Sequence, residues 1–159
     1  TNAREVDPAH PKALYDGGEG TTGMAAIART RASLRVLGDT LEPEEVSALL
    51  GRPPTRQRRK GDKIEGRNEA TAPTGAWILD SNLSERVELE EHVEVLLGSL
   101  SNDMDEWSSL TDRFSASMHC SLFLDQYNEG FELSPRVTRA LADRGIVIAF
   151  DIYSGDADA

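Results

Sequence analysis

RASLRVLGDTLEPEEVSALLG, residues 31–51, carries the pattern that sets the fold class. Ala32, Leu34 and Val36 alternate with Ser33 and Arg35, the period-two signature of a strand buried on one side. A helix follows at once. Glu42 stands at its N-cap, Pro43 suits the first helical position, and Glu44 and Glu45 meet the positive end of the helix dipole. Val46, Leu49 and Leu50 form its buried stripe, and Gly51 can close it in a left-handed conformation. A half-buried strand feeding a short amphipathic helix is a building step of two-layer proteins, in which each apolar face must be covered by another element.

The steps on either side extend this pattern. Upstream, residues 1–28 contain Pro8, Pro11, Gly17, Gly18, Gly20 and Gly23 and no periodic apolar positions, so a flexible N-terminal tail is expected there. Downstream, Arg52–Pro73 reads as a long polar connection with little hydrophobic content except Ile64. Ala76–Leu79 is a short strand anchored by Trp77. A helix is expected from near Ser84, with Leu89, Val93, Leu96, Leu97 and Leu100 at three-and-four spacing. Met104, Trp107, Leu110 and Phe114 belong either to a second helix or to the far half of one bent helix.

Met118, Cys120, Leu122 and Leu124 alternate with His119, Ser121, Phe123 and Asp125, which is again a strand. Asn128–Gly130 reads as a turn into a short strand at Phe131–Leu133. Ser134 and Pro135 open a last helix, with Val137, Ala140 and Leu141 inward and Gly145 at its end. Ile146–Ile152 is nearly all apolar and is expected in the middle of the sheet, buried on both faces. The expected architecture is one α+β domain over residues 29–153, with 154–159 a short acidic tail. It is a mixed four- to five-stranded sheet with helices mainly on one face, ferredoxin-like in style.

Composition narrows the function classes. The chain has 159 residues and a formal net charge of −11. Its single cysteine, Cys120, excludes an intrachain disulfide framework. No apolar run approaches the roughly 20 residues of a membrane helix, and no signal-peptide pattern is visible, so the expected location is cytoplasmic. Charge is unevenly spread. Residues 52–67 hold seven cationic side chains against two acids, a net of +5, whereas residues 80–112 hold ten acids against Arg86, a net of −9. A field of the latter sign repels phosphate backbones and argues against general nucleic-acid binding.

The run Arg35–Val46 leads into Leu50-Gly51-Arg52-Pro53-Pro54-Thr55, followed by Lys60-Gly61-Asp62, Trp77 ahead of Ser81, the helix Leu89–Leu100 and the ending Asp151-Ile152-Tyr153. Taken in this order, these features resemble the bacterial family of unknown function DUF4279, over roughly residues 31–153. The resemblance implies a small bacterial domain and supplies no catalytic residues.

Candidate chemistry is sparse. A nucleophilic or metal site would draw on His10, His92, His119 and Cys120. His119 and Cys120 are neighbours on one strand and point to opposite faces, so they cannot share an ion, and no paired zinc-ligand spacing occurs. Cys120 shares its face with Met118 and Leu122 and reads as an inert thiol. No metal or cofactor is expected, and the residues give no positive support for an enzyme. Two binding functions are weighed. In the first, an acidic helix face bearing Glu85, Glu88, Glu91, Asp103, Asp105 and Glu106 docks a basic protein, in the manner of an immunity protein. In the second, Arg56, Arg58, Arg59 and Lys60, with Trp77 near the pocket, hold a small phosphate- or carboxylate-bearing ligand. Opposing the second is a structural alternative in which the basic loop folds onto the acidic residues 85–94 as an internal clamp.

Overall fold

The structure is a computed structural model and describes residues 25–66 and 70–154. The tail expected over residues 1–28 lies outside the described residues up to 24, as do Arg67 and residues 155–159. In chain order the elements are β1 (Ala25–Ala26), β2 (Arg29–Gly38), α1 (Pro43–Leu50), β3 (Arg56–Arg58), β4 (Gly75–Asp80), α2 (Leu89–Gly98), α3 (Met104–Thr111), β5 (Ser115–Leu124), β6 (Glu129–Gly130), α4 (Pro135–Asp143) and β7 (Val147–Ser154). Five strands form a mixed sheet in the order β3-β4-β2-β5-β7, antiparallel except for the parallel β5–β7 pair.

The period-two pattern does what alternation requires. Ala32, Leu34 and Val36 from β2, Trp77 and Leu79 from β4, and Ala116, Met118, Cys120 and Leu122 from β5 turn to one side and are buried. The helices cover that side with Val46 and Leu50 of α1, Leu89, Val93 and Leu96 of α2, Trp107 and Leu110 of α3, and Val137 and Leu141 of α4. Both tryptophan rings sit in this core with the indole N–H satisfied: Trp77 Nε1 donates to Ser47 Oγ at 3.0 Å and Trp107 Nε1 to the Ser101 carbonyl at 2.8 Å. No helix among the described residues is long and apolar enough to cross a membrane.

Several details differ from the sequence reading. The apolar run at 146–152 is an edge strand and not a central one: β7 pairs only with β5, and Val147 and Ile152 are more than half exposed. The centre belongs to β2, which pairs with β5 over residues 29–37 and with β4 over residues 33–38. Within the supposed connection 52–73, Arg56–Arg58 is a strand, and Lys63 bridges Thr71. An outer strand is held by backbone bonds to one neighbour, so it needs no apolar alternation. The expected strand at Phe131–Leu133 falls instead at Glu129–Gly130, parallel to β1, while Phe131 and Leu133 pack against the core.

Glu42 occupies the N-cap of α1 but makes no side-chain cap bond, because its carboxylate is taken by Arg59. Gly51 does close α1 with φ of 77°. The helix expected from Ser84 begins at Leu89, because residues 85–87 are held against the start of β2. Thr30 N donates to the Glu85 carbonyl at 2.7 Å, and Thr30 Oγ1 donates to the Val87 carbonyl at 2.8 Å. Of the two alternatives beyond Gly98, separate helices form. Ser101 N donates to the Leu50 carbonyl between them, and Asp103 caps α3 by accepting from Asp105 N at 2.9 Å.

Candidate functional site

With the helices on one side, the odd-numbered residues of β2 are left for the other. Arg31, Ser33 and Arg35 stand beside Ser121, His119 and Ser117 of β5, and beside Asp80 and Ile78 of β4. Arg56 on β3 lies opposite Ile78 and extends this polar surface across the sheet. After Asp80 the chain turns sharply. Asn82 adopts a left-handed φ of 56°, and the segment Ser81–Glu85 rises into a wall fastened by Thr30. Wall and sheet enclose a cleft of about 380 Å³, the low end of the size range for small-molecule sites.

Three arginines line this cleft: Arg31, Arg35 and Arg56. Two have counter-charges. Arg31 is paired with Glu85, which Arg29 also approaches at 3.7 Å, and Arg56 Nη2 donates to Asp80 Oδ1 at 2.9 Å. Arg35 differs. It is half-buried, its Nε donates to Ser33 Oγ at 3.3 Å, and no carboxylate pairs with it among the described residues. Sheltering a cation without a partner costs free energy, which an incoming anion would recover.

The cleft also receives a buried histidine. His92, on the core stripe of α2, is 1 % exposed, and its Nδ1 lies 2.5 Å from Ser81 Oγ. Burial holds the imidazole below its ordinary pKa, against the opposing influence of the Glu91 charge and the carbonyls of Ser84 and Thr30. Its Nε2 is buried without a well-formed hydrogen bond.

The residues nominated from the sequence are distributed as follows. Arg56 reaches the cleft, and Arg58 is exposed on the same outer strand. Arg59 and Lys60 turn to the other end of the loop's reach. Arg59 donates to Glu42 at 2.7 Å and Glu44 at 2.6 Å, and Lys60 pairs with Asp39. Lys60 and Thr74 hold the Asp39 carboxyl below its usual range, and the two carboxylates hold the Arg59 guanidinium all the more firmly charged. An internal clamp therefore exists, but it closes on the start of α1 and not on residues 85–94. Trp77 is fully buried and faces no pocket for a ligand.

The acidic residues are split. Glu88 and Glu91 are exposed at the start of α2, while Asp103, Asp105 and Glu106 lie beyond its end, and ten helical residues span about 15 Å. Three of the six are engaged within the chain: Glu85 with Arg31, Asp103 as a cap and Glu106 with Ser101. Elsewhere, His119 Nε2 lies 2.6 Å from Asp151 Oδ2, and Cys120 points into the core, where burial pushes its thiol up to about 12.

Residues 28–155 match the family described as "Domain of unknown function (DUF4279)". The chain belongs to the DUF4279 family. The match covers the whole five-stranded sheet and all four helices of this DUF4279 domain, cleft included. No curated protein and no solved structure matches it. Arg35, Ser81 and His92, which the DUF4279 fold assembles into one cleft, were not singled out from the sequence as a site. One signal was present, since His92 interrupts the apolar stripe Leu89, Val93, Leu96 at a position that should face the core.

Proposed function

We propose that this DUF4279 domain is a binding module for a small anion, carrying a phosphate or carboxylate group, taken in the cleft between the sheet and the wall Ser81–Glu85. Arg35 carries the reading: a half-buried guanidinium with no counter-charge among the described residues, in a cleft of ligand size. A guanidinium offers a planar fork of donors suited to such oxyanions. Arg56 links the site to the basic loop, while Arg59 and Lys60 serve the clamp on α1. Docking of a basic protein through the acidic helices has narrower support, since its six residues fall at two ends of α2.

The test is a thermal-melt and calorimetric titration with inorganic phosphate and succinate. A hydrogen bond to a charged group contributes about 1.5–3 kcal/mol, so Arg35→Met is expected to weaken binding roughly 10- to 150-fold. Arg58→Met, outside the cleft, should leave it unchanged. Equal anion affinity in Arg35→Met and the parent would overturn the reading.

A further inference from the structure

Ser81 stands at the end of β4, half-buried at the cleft surface, with its hydroxyl 2.5 Å from His92 Nδ1. The imidazole is fixed from behind by α2 and excluded from water. Burial also favours its neutral form, which can accept a proton. In the tautomer that carries its proton on Nε2, Nδ1 is the acceptor for the Ser81 hydroxyl. The residue after the serine, Asn82, is held in a left-handed turn, and its backbone N–H donates to nothing among the described residues. Hydroxyl, base, unengaged N–H and Arg35, unpaired among the described residues, thus line or border one cleft. A serine that merely satisfied a buried histidine would need neither the cleft nor the cation.

Resting on the anion-binding reading, we infer that Ser81 and His92 are a nucleophile–base pair that hydrolyses a carboxylic ester whose body carries an anionic group held by Arg35. The hydroxyl oxygen of Ser81 bonds to the ester carbonyl carbon as its proton passes to His92 Nδ1. Charge builds on the carbonyl oxygen, where the unengaged Asn82 N–H beside Ser81 is the donor available to stabilise it. Collapse breaks the bond to the leaving alcohol, which takes the proton from Nδ1. Water then adds to the acyl-serine, gives its proton to His92, and the proton returns to Ser81 as the acid leaves. Ester and water give acid and alcohol, and serine and imidazole are returned unchanged.

The test uses the whole chain with a fluorophosphonate probe, read by intact mass and by the site of the adduct, alongside turnover of the mono-p-nitrophenyl ester of succinic acid. One adduct on Ser81 is expected, absent in Ser81→Ala. His92→Asn should slow labelling about 100-fold, the lower end of general-base contributions, and Arg35→Met should slow the succinate ester more than p-nitrophenyl acetate. No adduct on Ser81, or an unchanged adduct and turnover in Ser81→Ala, would overturn the inference. Should His92→Asn fail to fold, the Ser81→Ala comparison decides alone. The two readings fail separately: phosphate stabilisation retained without labelling sinks only the chemistry, whereas loss of all anion dependence in the parent sinks the binding site itself.

Discussion

Gly75→Ala tests whether the register that builds the cleft is as tightly determined as the structure indicates. Gly75 opens β4 directly opposite Gly38, the last residue of β2. A Cβ placed on Gly75 would lie 2.8 Å from the Gly38 carbonyl oxygen and 3.0 Å from that of Leu41. Both obstacles are backbone, so no rotamer change relieves them. The Gly38 oxygen is moreover already committed, accepting from Leu41 N at 3.2 Å to form the turn that presents Asp39 and Glu42 to Lys60 and Arg59. Overpacking of this kind costs about 1–3 kcal/mol. For a domain of this length, 1 kcal/mol corresponds to roughly 4 °C in Tm, so a fall of about 4–12 °C is expected by calorimetry or circular dichroism. Gly98→Ala is the internal control. Gly98 ends α2 with nothing within 4 Å of an added Cβ, and alanine in a helix should gain about 0.5 kcal/mol over glycine, raising Tm by roughly 2 °C. A Gly75→Ala melt within a degree of the parent, or equal losses in both variants, would refute the reasoning.

Stability should also depend on pH through His92. Its folded pKa lies below that of an exposed histidine near 6.5 because burial penalises the charged ring. The unfolded chain therefore binds the proton first, so stability falls as pH drops below about 6.5 and levels off only below the depressed folded value. Urea midpoints across pH 8 to 5 should show this slope in the parent and lose it in His92→Phe; an identical slope in the variant would contradict it. Cys120, fully buried and with its thiol pushed up to about 12, should resist Ellman's reagent in the folded protein and react at the rate of unfolding. Rapid stoichiometric labelling under native conditions would show that β5 is not covered as described.

Much of the fold was legible because its cause is local. The alternation in β2 and β5, the Pro43 and Pro135 helix starts, and the glycine stops at Gly51 and Gly145 each need only a few neighbouring residues to read. The failures have a common origin in pairing between distant segments. Arg56–Arg58 is a strand because β4 offers a free edge, and nothing in Arg-Gln-Arg announces it. The run at 146–152 looked central because apolar content reports burial on average and says nothing about which strands lie on either side. Residues 85–87 were read as helix because the hold of Thr30 on two carbonyls acts across more than fifty residues. The cleft was hidden for the same reason. It draws Arg35 from β2, Arg56 from β3, Ser81 from the end of β4, His92 from α2 and Ser121 from β5, no two of them adjacent in the chain.

The charge pattern acquires a meaning once the two sides of the sheet are separated. Five of the ten acids in residues 80–112 lie on α2 and α3, which cover the apolar side, whereas Arg31, Arg35 and Arg56 gather on the uncovered side with Asp80 and Glu85. An approaching anion thus meets two fields of different range. At about 0.1 M salt, interactions between exposed charges fade over roughly 10 Å; the carboxylates within the cleft, Asp80 and Glu85, are paired with Arg56 and Arg31, so a compact anion seated there meets Arg35 as the cation unpaired among the described residues. On the anion-binding reading proposed above, the acids that make the chain −11 overall oppose the long-range approach of nucleic acid, whereas a small anion at contact range is governed by Arg35.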